Sequence, residues 1–155
     1  MPDDAGAPTL RRGALKSYSW DGVEPRPYRA EPDARFEGVT RQVLFSDPRL
    51  RGELRYFEVS PGGYSSLERH AHMHAVLVLC GGGRCLVGEN VHAIGPHDLI
   101  TVPPWTWHQF RAAPDQRLGF LCLVDAERDR PVAPSEAERE ALMRQPAVRE
   151  FLAGR

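Results

Sequence analysis

The chain has 155 residues, the size of one domain, and its 41% of hydrophobic residues suffice for a buried core. The formal net charge is −1 and the arginines are scattered along the chain, which argues against a nucleic-acid partner. No apolar run approaches the length of a membrane span, and the N-terminus lacks the apolar stretch of a signal peptide. We therefore expect neither a nucleic-acid partner nor a membrane partner.

The cysteines point to a reducing compartment. The chain has three, Cys80, Cys85 and Cys122, and an odd number without close spacing is typical of free thiols. Cys80 and Cys122 stand in apolar runs, which predicts that they are buried as small hydrophobic residues. With no leader segment, this predicts a cytoplasmic protein.

Residues 1–35 predict an extended arm. The segment is rich in proline, arginine and aspartate, and its large anchors are Tyr18, Trp20 and Tyr28. Such a segment fits an arm that lies over the domain or over a partner subunit, and it equally fits a partly disordered tail.

Residues 36–130 predict a β-barrel or sandwich. Short apolar or alternating segments are bounded by glycine and proline, and the chain contains 14 of each. The predicted strands lie at 39–45, 53–59, 74–79, 85–87, 98–102, 108–111 and 118–124. The predicted turns include Pro61-Gly62-Gly63, Gly81-Gly82-Gly83 and Gly88-Glu89-Asn90.

Residues 131–155 predict a helical tail. Ser135 and Glu138 have the spacing of a capping box, and a helical segment over 135–153 is interrupted at Pro146. We expect this tail to supply packing or dimer surface and no chemistry.

The side chains that suggest chemistry are concentrated in one short segment. Glu68, His70, His72 and His74 occupy alternate positions, so an extended backbone could project all four to one face. His108, at the entry of a later predicted strand, is the natural ligand from elsewhere in the fold. Imidazole and carboxylate together suit one divalent transition metal, namely Fe, Mn, Ni, Co or Zn. A solvated polar strand face is the simpler alternative, but it has no need of three imidazoles.

The spacing of these residues resembles the two motifs of the cupin superfamily. The first motif reads G-x5-H-x-H-x3/4-E-x6-G, and this chain has Gly62, Glu68, His70, His74 and Gly81 at the corresponding positions. The second motif reads G-x5-P-x-G-x2-H-x3-N and is met by Pro103 and His108. The resemblance covers about residues 50–125. It implies a small single-domain cupin, a double-stranded β-helix or jelly-roll barrel with the arm and the helical tail added at its ends.

The departures from the motifs leave two ligand sets open. Glu68 stands where the first metal-binding histidine would be, and His74 stands where the glutamate would be. The resemblance implies the set Glu68, His70, His74 and His108; the alternative replaces Glu68 by His72 and leaves Glu68 to orient an imidazole. In the second motif His97 and Trp105 replace the glycines and Ala112 replaces the asparagine, changes that affect turn geometry more than ligation.

The aromatic residues around His108 predict a substrate pocket. Its candidate members are Arg55, Trp105, Trp107, Phe110 and Phe120, although ordinary strand alternation and core packing are the commoner roles of such residues. A metal with open positions could activate dioxygen or polarise a carbonyl, and the cupin resemblance implies the same breadth of activities.

Three functions follow as hypotheses. The first is a metal-dependent enzyme on a small organic molecule, dioxygenase-like, in which Glu68 ligates the metal or accepts a proton. The second is a non-catalytic cupin that binds or senses a small ligand. The third is a sugar isomerase or epimerase, which the near-neutral charge and the lack of an Arg/Lys cluster for phosphate weaken slightly. The predicted partners are a small-molecule ligand and a second copy of the chain in a homodimer.

Overall fold

The computed structural model of the chain describes residues 10–14, 17–29 and 35–154. The rest of the predicted arm, at 1–9, 15–16 and 30–34, lies outside the described residues. Strands dominate the described part, which confirms the all-β prediction. The strands are β1 (Gly13–Ala14), β2 (Ser19–Trp20), β3 (Arg26–Pro27), β4 (Glu37–Asp47), β5 (Gly52–Tyr64), β6 (His74–Gly81), β7 (Gly83–Val87), β8 (Asn90–Ile94), β9 (Leu99–Val102), β10 (His108–Ala112) and β11 (Leu118–Asp125), and the helices are α1 (Glu136–Leu142) and α2 (Pro146–Leu152).

One curled antiparallel sheet forms the barrel. Its strand order is β8-β7-β10-β5-β11-β6-β9, with β4 paired to β5 and β3 paired to β4. The long strand β5 is central, because β4 and β11 flank most of its length while its end at Tyr64 pairs with Arg111 of β10.

The turn predicted at Pro61-Gly62-Gly63 is wrong, since β5 continues through these residues to Tyr64. Gly62 has φ 74°, a conformation that glycine adopts without steric cost, and its N–H donates to the carbonyl of Ala113. Glycine within a strand often marks a bend at a barrel corner. The Pro-Gly-Gly segment therefore bends one strand from its β4 and β11 neighbours towards β10.

Strand β8 was not predicted. Most of its residues are exposed, so it carries no apolar run, and only its pairing with β7 across the turn at Gly88 reveals it. The residues Gly88-Glu89-Asn90 predicted the turn of the hairpin, but the polar strand after the turn has no periodic hydrophobic pattern.

The buried apolar residues form two clusters. The barrel cluster consists of Val39, Phe57, Val59, Val76, Val78, Cys85, Ile94, Val102, Phe110, Ala112, Leu118, Phe120, Cys122 and Val124. The helix cluster, between the barrel wall and the C-terminal helices, consists of Leu67, Leu86, Leu142, Val148, Phe151 and Leu152.

The two ends of the chain cover the outside of the barrel. In the arm, the rings of Tyr18 and Trp20 pack on Tyr56 with centroids 5.8 and 5.1 Å away. In the tail, Ser135 and Glu138 form the predicted capping box, and α2 begins at Pro146, where the interruption was predicted. Across the described ranges, no helix combines the length and the apolarity needed to cross a membrane.

Candidate metal centre and its cavity

Alternation along four neighbouring strands brings the candidate residues to one side of the sheet. Arg55 of β5 pairs across the sheet with Cys122 of β11, and Cys122 pairs with Val76 of β6, two residues after His74. Cross-strand partners share a face, as do alternate residues of one strand. The same alternation places His108 and Phe110 together on β10.

These side chains line a cavity inside the barrel. The space between them amounts to about 620 Å³, counting the open mouth. Its lining combines imidazole, carboxylate and guanidinium groups with aromatic and aliphatic side chains. The lining residues are Tyr28, Val39, Arg55, Phe57, Ser65, Glu68, His70, His72, His74, Val76, His108, Phe110, Phe120, Cys122, Arg128, Asp129 and Pro131.

Backbone carbonyls fix the tautomers of two histidines. His70 Nδ1 lies 2.7 Å from the carbonyl oxygen of His72, and His108 Nδ1 lies 2.9 Å from the carbonyl oxygen of Thr106. A carbonyl oxygen only accepts, so each Nδ1 carries the proton and donates it. The Nε2 atoms of His70 and His108 are therefore left with lone pairs, the state in which imidazole binds a metal.

The imidazole nitrogens converge. His70 Nε2 and His74 Nε2 are 2.8 Å apart, a distance at which two lone pairs repel unless a proton or a cation lies between them. The ligand atoms of Glu68, His70 and His108 lie within 4.8 Å of one another, and so do those of His70, His72 and His74. His70 belongs to both groups. The donor set fits a divalent transition metal, for which nitrogen and carboxylate oxygen are suitable ligands.

Burial keeps these imidazoles neutral. It lowers the pKa of His70 to about 4 and the pKa of His74 to about 2, with the neighbouring imidazoles adding to the shift. Burial is also the largest cause that lowers the pKa of His108. Removing a charged imidazolium from water is unfavourable, so the histidines present lone pairs at neutral pH without needing to lose a proton first.

Glu68 is held from the arm. Tyr28 Oη donates to Glu68 Oε1 at 3.1 Å, and Arg29 Nη2 donates to Glu68 Oε2 at 2.7 Å. The backbone of Glu68 forms a two-way bridge with His108. Each carboxylate oxygen accepts one hydrogen bond and has lone-pair capacity for another contact.

His72 is held differently from its neighbours. Its Nδ1 lies 2.7 Å from Asp129 Oδ1, and its ring is stacked on the ring of His70 with centroids 3.6 Å apart and planes 2° apart. Hydrogen bonds from the backbone N–H of Ala71, then from His72, lower the pKa of Asp129 to about 2. Asp129 is therefore a carboxylate that orients His72.

Only part of the predicted substrate pocket lines the cavity. Arg55, Phe110 and Phe120 do, whereas Trp105 and Trp107 do not. Trp107 packs against the helix cluster, with the guanidinium of Arg69 4.3 Å from its ring centroid. Successive side chains of a strand point to opposite faces, so the residue before His108 faces away from the cavity.

The two motif positions where glycine is replaced keep the backbone that glycine favours. His97 has φ 75° and Trp105 has φ 56°. The N–H of Trp105 donates to the carbonyl of His70 at 2.7 Å, and the N–H of His97 donates to the carbonyl of Val78 at 2.9 Å. The turn geometry is thus retained despite the side chains, and Trp105 is left 56% exposed.

Several residues of the site were not predicted from the sequence. Tyr28 was identified only as an anchor of the arm, and Arg29, Arg128 and Asp129 were not singled out. Cys122 is buried as predicted, but its Sγ lies 3.1 Å from His74 Nδ1 and 3.4 Å from Arg55 Nη2. These contacts join residues that are far apart in the chain, and no local pattern announces them.

Comparison with known proteins identifies the fold and a near relative. A family model described as Cupin domain matches residues 55–124. The 1-methylthio-D-xylulose 5-phosphate methylsulfurylase of Rhodospirillum rubrum is 56% identical over 137 residues, which are 88% of each chain.

Solved structures agree with this assignment. A cupin-2 domain from Rhodospirillum rubrum has 54% identity and a TM-score of 0.85, covering 92% of this chain and 96% of its own. A cupin 2 conserved barrel domain protein from Rhodopseudomonas palustris has 48% identity and a TM-score of 0.87, covering 92% of this chain and 98% of its own.

Proposed function

Because this chain belongs to the cupin family, we propose that it is a metal-dependent enzyme acting on 1-methylthio-D-xylulose 5-phosphate. That compound is named as the substrate of the Rhodospirillum rubrum relative. The observation that carries the proposal is the extent of the identity, which spans nearly the whole of both chains rather than the barrel alone.

The histidine geometry supports a metal. We propose that Glu68, His70, His74 and His108 hold one divalent transition metal, namely Fe, Mn, Ni, Co or Zn. His72 is the less suitable ligand, because its ring is parallel to that of His70, so that in-plane lone pairs on the two rings do not converge on one point. When bound, such an ion would supply Lewis-acid polarisation of a substrate oxygen.

The residues around the ion suit a small polar substrate with an apolar part. Phe57, Phe110 and Phe120 offer an apolar wall for a methylthio group, while Tyr28 and Arg29 hold the Glu68 carboxylate in place. Transfer of the methylthio group from the carbon beside a ketone to a thiolate breaks the C–S bond and forms the S–S bond of a mixed disulfide. The electron pair of the C–S bond stays on the carbon, the carbonyl oxygen can accept it, and that carbon must then gain a proton. Glu68, which lines the cavity, is our candidate for the group that exchanges this proton.

A turnover assay with metal analysis tests the proposal. Protein as purified, chelator-treated protein and protein reconstituted with each metal are incubated with 1-methylthio-D-xylulose 5-phosphate and a small thiol as acceptor of the methylthio group. We expect the S-methyl NMR signal of the substrate to be lost only with metal-containing protein. Unchanged substrate with every metal would overturn the proposed activity.

The oxygenase predicted from the sequence is the competing function. Its support is the ligand chemistry, because imidazoles with one carboxylate also suit Fe(II) enzymes that activate dioxygen. Dioxygen uptake by iron-loaded protein, followed with an oxygen electrode in the presence and absence of the same substrate, separates the two. Uptake coupled to substrate loss would favour the oxygenase.

A further inference from the structure

Two arginines from distant parts of the chain, Arg55 and Arg128, line the cavity and meet at one carboxylate. Arg55 of β5 and Arg128, just after β11, both approach the carboxylate of Glu53, and Arg41 lies on the neighbouring strand β4. Arg128 Nη2 donates to Glu53 Oε1 at 3.0 Å, and Arg55 Nε lies 3.6 Å from the same oxygen. Burial and the charge of Arg55 both lower the pKa of Arg41, as expected for a cation held close to another cation. One carboxylate thus faces two guanidinium groups.

Arg55 is buried and incompletely paired. The residue is only 6% exposed, and its Nε makes no hydrogen bond although it is shielded from solvent. Its described contacts are the Glu53 carboxylate at 3.6 Å, the Cys122 thiol, and the ring of Phe57, 5.0 Å from the guanidinium carbon. A buried guanidinium without matching acceptors costs free energy, so an anion that supplies those acceptors is bound favourably.

The other carboxylates of the cavity are bound to other groups than these two arginines. Glu68 is paired with Arg29 at the histidine end, and the two oxygens of Asp129 accept from Ala71 and His72. The positive end is nevertheless adjacent to the histidines, because Cys122 Sγ contacts both Arg55 Nη2 and His74 Nδ1. Arg55 and Arg128 line the same cavity as the candidate metal ligands.

We infer that Arg55 and Arg128 form a phosphate subsite, which binds the phosphoryl end of a small phosphorylated sugar whose other end reaches the histidines. The inference rests on the proposed function for the class of ligand, and on the arginine cluster for the residues. Two fork-shaped guanidinium groups match the geometry of a phosphate, and the surplus of positive charge matches its negative charge. Arg41 supports the subsite by adding positive charge from the neighbouring strand.

Binding measurements test this subsite independently of turnover. Isothermal titration calorimetry would compare D-xylulose 5-phosphate with unphosphorylated D-xylulose, using the full chain as purified. Inorganic phosphate would be titrated into chelator-treated protein, so that no metal can hold it. We expect Arg55→Gln to weaken the binding of D-xylulose 5-phosphate and of inorganic phosphate by about 10- to 100-fold. The affinity for D-xylulose should stay unchanged.

Control variants show whether a loss of phosphate affinity is specific to Arg55. Arg144→Gln removes an exposed arginine of the tail and should bind every probe like the wild type. Arg55→Lys keeps the charge but loses the fork, so its affinity should lie between those of wild type and Arg55→Gln. If Arg55→Gln fails to fold by circular dichroism, Arg128→Gln replaces it, since that side chain is 23% exposed.

The outcomes separate the subsite from the proposed activity. Unchanged phosphate affinity in Arg55→Gln and Arg128→Gln, or equal losses for D-xylulose and its phosphate, would overturn the subsite. A selective loss supports the subsite even if 1-methylthio-D-xylulose 5-phosphate is never turned over, which would count against the proposed activity alone.

Discussion

The barrel cavity and the helix cluster are both buried, but they are built from opposite kinds of side chain. The helix cluster is apolar throughout, with Val148 and Phe151 fully buried. The cavity buries Arg55, Glu68 and His70 among its aromatic residues. Burying ionisable groups is unfavourable, whereas burying apolar area is the main source of stability. The helix cluster therefore stabilises this fold, whereas the cavity holds groups suited to chemistry at the expense of stability.

The largest expected effect is a loss of stability caused by a substitution in the helix cluster. Phe151→Ala should lower the free energy of unfolding by about 3–5 kcal/mol, because it empties a fully buried site in a packed cluster. Urea unfolding measures the change. The control Leu123→Ala, at a side chain 51% exposed, should cost less than about 1 kcal/mol. Similar losses in the two variants would contradict the stabilising role given to the helix cluster.

The next largest effect is a loss of metal binding caused by a substitution in the cavity. His70→Ala should weaken metal binding by more than about 100-fold, while His72→Ala should weaken it by no more than about tenfold, the effect of a neighbouring group. Metal content after dialysis against graded chelator concentrations measures both. Equal losses would favour the alternative ligand set that includes His72.

A smaller effect is expected from the arm. Tyr28→Phe removes the hydroxyl that donates to Glu68 Oε1 and should weaken metal binding by about tenfold, because an oriented carboxylate is the better ligand. Tyr56→Phe removes a similar hydrogen bond, to Glu58 on the outer face of the same strand, and should leave metal binding unchanged. Competition with a chromogenic chelator compares the metal affinities of the two variants. Equal affinities would contradict the contribution of the arm to the metal site.

The smallest effect is expected at Trp105, which belongs to neither region. Trp105→Gly should raise the free energy of unfolding by about 0.5–1 kcal/mol, since glycine tolerates φ 56° and the indole is largely exposed. Leu99→Gly, also exposed but in ordinary strand backbone, should lower it by about 1 kcal/mol. Thermal unfolding measures both, and a destabilised Trp105→Gly would mean that the indole packs usefully on its neighbours.

Local signals were sufficient for most of the fold and for the histidine end of the cavity. Glu68 to His74 stand within seven residues, and the apolar runs around them fall inside β5, β6 and β11. Arg55 was a candidate pocket residue, but its association with Arg128 was not predicted, because the two belong to different segments that only the pairing of β5 with β11 brings together. The absence of a contiguous basic cluster was therefore a poor argument against a phosphorylated ligand.

Proximity in sequence also misled. Trp107 was placed in the pocket because it adjoins His108, yet the period of two in a strand directs neighbouring side chains apart. Trp105 was placed there for the same reason, but it occupies a left-handed turn position and faces solvent. The homodimer and the cytoplasmic location stay predictions.

The hydrogen bonds from Tyr28 and Arg29 to Glu68, and from His72 to Asp129, have a consequence for engineering. The segment that matches the family model, residues 55–124, contains every candidate metal ligand but none of these three supporting residues. Grafting that segment into another barrel would transfer the candidate metal ligands without the residues that orient them. A transplantable unit must extend from Tyr28 to Asp129, so the barrel and its flanking segments are one functional module.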